Sequence, residues 1–457
     1  MPAIAPLAAI RYPQQNQTAV VAPPYDVLSG EDKSRLLAGD GHNIVAVDLP
    51  HIPPKEAGPD ATYAAAGHTL KMWLESGVLK QDEKPALYAY QQTYTYGGVT
   101  YKRRGFFTRV RLEEFGADSS IHPHEQTFSG PKEDRLKLMR ATQANLSPVF
   151  GLYDDKTNDV TDMLFEAVGP LGGGRPLASA ELPSQDGKSK VLSEVWAITD
   201  VAVIKDVQLM MADKHVYIAD GHHRYTTCLN YRREVSAALG TPLEHNHPAN
   251  FALFVLIAMQ DPGLIILPTH RVVAAESLEN FYLEGFCDAA MKLCKVMETK
   301  YRGDSLGMLE KDLTAGAFGI HAMGVYDPVE DAAVVIQPRD GDPLKQFATA
   351  GDGTLTGKSD AWRQLDVAIL QHLVFERIMT PFVKAGAKMS WAFPHEAHEV
   401  ATMCRADAGR KHRVGFLLQP TPLTAVRDLC NANELMPQKS TFFYPKLATG
   451  MVINPLG

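Results

Sequence analysis

The sequence predicts an α+β protein, on three observations. Helical and strand-like periods alternate without a fixed repeat; two Tyr/Thr-rich runs are split by Gly97-Gly98; and a short apolar run stops at Asp220-Gly221-His222-His223-Arg224 just before a helical pattern begins. A chain of 457 residues predicts roughly three compact units at about 150 residues each. The expected divisions are an N-terminal mixed α/β region over 1–118, a core over 119–275 and a C-terminal α/β region over 276–457.

Each element has its own warrant. Ala22-Pro23-Pro24-Tyr25-Asp26 reads as a Pro-rich loop, and Asn43 to Leu49, closed by Pro50, as a strand. Ala66, Leu70 and Leu74 recur at helical spacing, Trp73 widens the stripe, and Gly77 falls where a left-handed C-terminal cap belongs. Ala86 to Tyr96 and Val99 to Leu112 form a predicted hairpin around the two glycines. A polar loop, His122 to Gly130, then runs into a helix opened by Pro131, with Glu133 and Asp134 in its first turn. Gly169 to Lys190 reads as an exposed connection. Val216 to Ala219 is a short buried strand, and Tyr225, Cys228 and Leu229 mark a helix stopped by Gly240. Phe251 to Met259 and Leu264 to Leu267 are strands, and Ala361 to Ile378 and Leu423 to Leu435 are helices.

Composition excludes several classes. With 45% hydrophobic residues the chain can bury a core without cross-links. Its 53 acidic and 45 basic residues leave a net charge of −8, which argues against non-specific attraction to nucleic acid or anionic lipid. Five cysteines without a C-x-x-C pair suit reduced thiols. The longest apolar run, Phe251 to Met259, is short of the ~20 residues of a spanning helix. A cytoplasmic location is expected.

The chemistry concentrates at Asp220-Gly221-His222-His223-Arg224. A glycine between strand and helix lets a phosphate approach the backbone, and the free N–H groups of the first helical turn attract anions. Arg224, His222 and His223 could grip phosphate oxygens, while Asp220 could hold a magnesium ion or a substrate hydroxyl. The alternative is structural: Asp220 caps the helix and the histidines are buried hydrogen-bonders. Glu125, flanked by His122 and His124, is a candidate proton acceptor for a hydroxyl, and Lys439-Ser440-Thr441 could contact phosphates from a loop. Asp352 to Ser359 imitates a Walker loop, but Asp352 stands where its first glycine belongs. The pairs His122/His124, His222/His223 and His245/His247 lack a zinc spacing.

The blocks Ala22 to Val27, Ser129 to Arg135, Asn145 to Pro148, Ile218 to Tyr225, Pro268 to Arg271 and Met436 to Thr441 resemble the signature of a bacterial family, domain of unknown function 1015. A narrower resemblance is to the free-serine kinases built on a ParB/sulfiredoxin-like fold. Their P-H-E-Q loop, D-G-H-H-R box and late lysine with hydroxyl neighbours appear here as Pro123 to Gln126, Asp220 to Arg224 and Lys439 to Thr441.

That resemblance implies a ParB-like nucleotide-binding core, with Glu125 as general base and Asp220 as an essential acidic partner. It implies phosphate contacts from Gly221, His222, His223, Arg224, Lys439, Ser440 and Thr441, and substrate contacts from His124 and Arg224. The implied reaction is phosphorylation of a small hydroxyl compound, free L-serine foremost, by ATP or ADP with Mg2+. Two departures stand out. The interval from Glu125 to Asp220 is longer than in those kinases, and the N-terminal region has no clear counterpart. His222 occupies the place of the sulfiredoxin cysteine, which removes that chemistry. The competing expectations are a ParB-like nucleotide-binding regulator without turnover and a metal-dependent hydrolase using the histidine pairs. A homo-oligomer is left open.

Overall fold

The computed structural model describes residues 3–125, 129–169, 174–185, 187–387, 389–405 and 412–457. It divides into two compact units, Met1–Ile265 with Pro445–Gly457, and Ile266–Tyr444. Among the described residues no helix is long and apolar enough to cross a membrane.

The first unit is built on a nine-stranded mixed sheet. In chain order its strands are β1 (Ile4–Ala5), β2 (Leu87–Tyr96), β3 (Val99–Arg111), β4 (Ile121–His122), β5 (Val149–Tyr153), β6 (Ala178–Pro183), β7 (Lys190–Ile198), β8 (Val216–Asp220) and β9 (Phe251–Ala258). Their spatial order is β4-β8-β5-β9-β3-β2-β7-β6, with β1 also paired to β3. Strands from both sides of residue 118 therefore share one sheet. The β2–β3 hairpin forms because Gly97 and Gly98 both adopt positive φ, 59° and 83°, as a tight two-residue turn requires.

Helices α1 (Gly30–Gly39), α2 (Val45–Asp48), α3 (Asp60–Glu75), α4 (Ser129–Thr142), α5 (Asp159–Ala167), α6 (Val201–Met211) and α7 (His222–Leu239) complete this unit. One core gathers Val160 and Leu164 of α5, Val207 and Met211 of α6, and Tyr225, Cys228 and Leu229 of α7 with Phe106, Ile218 and Phe254 of the sheet. A second joins Tyr25, Val45 and Val47 to Tyr63, Ala66, Leu70 and Trp73 of α3 and Leu138 of α4.

Three expectations about elements are corrected. Asn43 to Leu49 is not a strand: Asn43 donates from Nδ2 to Ala19 O (2.8 Å) and Val21 O (2.9 Å), accepts the Val45 N–H at Oδ1 (3.0 Å), and starts the single turn α2. Tertiary anchoring overrides the β-branched preference there. The stretch from Gly169 to Lys190 is not simply a connection, because it contains β6, whose small residues Ala178 and Ala180 face inward with Leu182. The expected helix over Ala361 to Ile378 is broken into Asp360–Arg363, Asp366–Ile369 and a π-helical stretch, Leu370–Ile378. Its apolar stripe survives, with Leu365, Ile369 and Leu373 all buried. In α3 the stripe runs Tyr63, Ala66, Leu70 and Trp73, while Leu74 is exposed.

The second unit carries a six-stranded sheet from β10 (Arg271–Ala274), β11 (Cys294–Glu298), β12 (Met323–Asp327), β13 (Ala332–Pro338), β14 (Trp391–Ala392) and β15 (His412–Leu417), in the order β11-β13-β12-β15-β10-β14. The Asp352 to Ser359 stretch is a run of turns in this unit, and Asp352 is ion-paired to Arg377 (2.7 Å).

His321 in this unit has an acceptor at each ring nitrogen, which favours its protonated form. Its Nδ1–H donates to Asp366 Oδ1 (2.6 Å) and its Nε2–H to Gln364 Oε1 (2.7 Å). The Gln364 orientation is set by its own Nε2–H donating to Gly341 O (2.8 Å). Burial acts to lower the His321 pKa, but these acceptors win and hold it above the ordinary 6.5. A raised folded-state pKa stabilises fully below 6.5 and loses that contribution as pH rises through the folded value. Thermal melts of the parent are therefore expected to lose this contribution as pH rises above 6.5, and melts of His321→Gln to lack that part of the decline.

Candidate functional site

The site begins where two parallel strands end side by side. β4 pairs with β8 in parallel, Ile121 opposite Val216 and His122 opposite Tyr217. Their C-terminal ends therefore open on the same edge of the sheet, where loops after parallel strands form binding sites. One loop carries His124 and Glu125, and the other carries Asp220 to Arg224. A bulge between Ile218 and Asp220, facing β5, re-aims the second loop as it leaves the sheet.

The two loops are pinned together. His124 donates its backbone N–H to His222 Nε2 (3.2 Å), and its ring Nδ1–H donates to Ile218 O (2.7 Å). The rings of His124 and His222 meet edge to face at 4.6 Å. Burial lowers the pKa of both imidazoles below the ordinary histidine value, and for His222 the neighbouring His124 adds to that effect. His222 is thus a buried link between loops whose Nε2 accepts, while His223 is the half-buried one of the pair. Glu125 is half-buried at the bend after His124 and adds its charge to that imidazole's surroundings. Gln126 lies outside the described residues.

Asp220 sits between two cations. Lys446 Nζ is 3.0 Å from Asp220 Oδ2, and Arg224 Nη2 is 3.7 Å from the same oxygen. Burial alone would raise the Asp220 pKa, yet Lys446 and then Arg224 hold the carboxyl well below the usual range. Oδ1 accepts the Gly221 N–H at 2.8 Å. Arg224 is braced by Nη1–H donation to Pro148 O. Gly221 has φ +92° and, as the N-cap of α7, brings no capping side chain, which makes this helix N-terminus a candidate for anion binding.

A β-carbon at Gly221 would lie 3.0 Å from the Arg224 guanidinium carbon. Gly221→Ala is expected to cost about 1–2 kcal/mol in melts through its left-handed backbone, and to weaken anion binding by displacing Arg224. Gly221→Asn, which tolerates that backbone better, isolates the steric part.

Behind the turn the other sequence blocks interlock. Asn145 accepts the Leu253 N–H (3.1 Å) and the Asn454 Nδ2–H (2.9 Å) at Oδ1. Ser147 donates to Asp48 (3.3 Å) and contacts Thr449 (3.2 Å). Arg135 donates to Asp48 O (2.7 Å) and Asp134 Oδ2 (2.8 Å) and lies over the Tyr25 ring at 3.9 Å. Tyr63 donates to Asp134 at 2.6 Å.

Lys439, Ser440 and Thr441 lie in the second unit. Lys439 is exposed with φ +57°, and its turn is held by Arg271, which donates to Lys439 O (2.9 Å), and by Ser440 Oγ donating to Pro437 O. His270 in the same block is structural: it accepts the Leu418 N–H at Nδ1 (3.0 Å) and donates from Nε2 to Glu310 (3.1 Å). The lysine that reaches Asp220 is Lys446, which sequence reasoning missed. Its available signal was a second lysine seven positions on, behind Tyr444-Pro445.

Among the described residues no group of three or more His, Cys, Asp or Glu is arranged to hold a metal ion. One member of each histidine pair is engaged otherwise: His122 is hydrogen-bonded to His215 (2.7 Å), His222 accepts from His124, and His247 Nδ1 caps the Ala249 N–H (3.1 Å). Asp220, already paired with two cations, does not supply a magnesium site by itself.

The chain belongs to the family described as a protein of unknown function, DUF1015, whose family model matches residues 4–368. No curated protein matches it. Similar solved structures include a free serine kinase in complex with AMP, at 11% identity and TM-score 0.30, covering 76% of this chain and 92% of that one. SbnI from Staphylococcus aureus, with a C-terminal truncation, is similar at 10% identity and TM-score 0.32, over 77% of this chain and 87% of its own. A conserved hypothetical protein from Pyrococcus furiosus is similar at 12% identity and TM-score 0.30, over 77% and 95%.

Proposed function

We propose that this protein is a nucleotide-dependent phosphotransferase with an alcohol acceptor, working on a ParB/sulfiredoxin-like core. The observation that carries the reading is the meeting of two loops, with the Glu125 loop hydrogen-bonded to a helix-opening turn that brings Arg224, Lys446 and the N-terminus of α7 around Asp220. A carboxylate on one loop and an anion cradle on the other are the two ends a phosphoryl transfer needs.

In this reading the donor's terminal phosphates rest at the first turn of α7, with His223, Arg224 and Lys446 neutralising their charge. The acceptor hydroxyl gives its proton to Glu125 as its oxygen bonds to the terminal phosphorus, and the bond from that phosphorus to the bridging oxygen breaks. ADP leaves when ATP is the donor, and AMP when ADP is. Asp220 keeps Lys446 and Arg224 in register until phosphate oxygens share them. His124 and His222 hold the base loop against the cradle. The acceptor is a small hydroxyl amino acid, free L-serine foremost.

The experiment is incubation of the purified protein with serine, threonine or homoserine, magnesium, and ATP or ADP, read by phosphorus NMR. Phosphoserine formation is the expected result. Absence of any phosphorylated amino acid with both nucleotides would discard the acceptor class. Nucleotide-dependent thermal stabilisation without product would point to the non-catalytic regulator instead.

A further inference from the structure

Lys446 does not reach Asp220 by chance of its own side chain, because its backbone is gripped from the sheet. Gln92 on β2 and Arg103 on β3 are direct cross-strand partners, and each is only 1% exposed. Gln92 donates from Nε2 to Lys446 O at 3.2 Å. Arg103 donates from Nη2 to Pro445 O and to Gln92 Oε1, so the amide is oriented with its N–H toward Lys446. The Arg103 guanidinium also lies 5.0 Å from the centre of the Phe150 ring, and Phe150 is the β5 residue opposite Asp220. Hairpin, C-terminal segment, ammonium, carboxylate and β5 therefore close into a ring of contacts.

We infer that Gln92 and Arg103 are positioning residues that set the Lys446 ammonium against the Asp220 turn. The inference rests on the proposed phosphotransferase reading for its functional meaning, but the positioning itself can be measured without any nucleotide. Two backbone carbonyls in succession, Pro445 and Lys446, are fixed by a buried pair on one face of a hairpin. A lysine stem is flexible, and fixing its root is what limits where the charge can lie.

The test uses Gln92→Met, which keeps volume and removes both hydrogen bonds, with Arg103→Lys as the second variant should the first fail to fold. Competitive acetylation of the full-length protein with acetic anhydride, read by mass spectrometry at Lys446 against the other lysines, reports how tightly that amine is ion-paired. Labelling at Lys446 is expected to rise about fivefold or more, the size of one lost hydrogen bond, with other lysines unchanged. Equal labelling in parent and variant overturns the inference, whatever the protein's activity.

Where the parent turns over, a double-mutant cycle adds a second reading. Gln92→Met should lower kcat/KM about tenfold in the parent and have no further effect in Lys446→Ala, because the two act through one charge. Losses that simply multiply would mean a general structural role and would overturn it. A parent that binds no nucleotide would end the kinase reading while leaving the labelling result to stand or fall alone.

Discussion

Replacing Glu125 by glutamine is expected to lower the turnover number by about 10²-fold or more, the usual contribution of a positioned general base. The amide keeps the shape of the half-buried side chain and cannot take the hydroxyl proton. The loop should stay in place, since its anchors are the His124 backbone N–H and the His124 ring, neither of which involves residue 125. Nucleotide affinity and melting temperature are therefore expected to match the parent. A loss of less than about threefold in turnover would remove Glu125 from the role of base.

Asp220→Asn carries the second large effect. Asparagine can still accept the Gly221 N–H, but it leaves Lys446 and Arg224 facing one another without the carboxylate between them. Removing one partner of a buried charge cluster typically costs about 3–5 kcal/mol, and the partly solvated Asp220 belongs at the lower end. The loss should appear as a lower melting temperature together with a weaker hold on nucleotide. The pH dependence has a definite sign. A carboxyl depressed below 3.8 contributes its stability at higher pH and gives it up as pH falls toward the folded-state value. The variant should accordingly show a flatter acid limb in urea titrations between pH 5 and pH 3 than the parent, and an unchanged limb would mean that Asp220 is not the group held there.

The 220–224 turn was legible in the sequence because its signals are local: a strand period stops, a glycine intervenes and a helical period begins. The Gly97-Gly98 hairpin was legible for the same reason. Lys446 was not, since what makes it special is the register of a distant hairpin, with Gln92 and Arg103 buried around its backbone. Read locally, Lys439 with its hydroxyl neighbours is the more conspicuous lysine. Asp48 was hidden by a different mechanism. Its surroundings, Val-Ala-Val-Asp, look like a strand, and only the side-chain bonds of Asn43 curl them into a helical turn that delivers the carboxylate to Arg135. The edge strand β6 was obscured because alanines, which carry little apolar signal, fill its inward positions.

The lysine beside Asp220 is encoded beyond the whole of the second unit, since Ile266–Tyr444 intervenes before Pro445 returns to the first. During translation, a ribosome that has completed residue 265 has made the 220–224 turn, Glu125 and the hairpin, yet the nascent chain still lacks the ammonium that joins Arg224 in balancing Asp220. Chains arrested anywhere within the intervening stretch are left with an incomplete charge set.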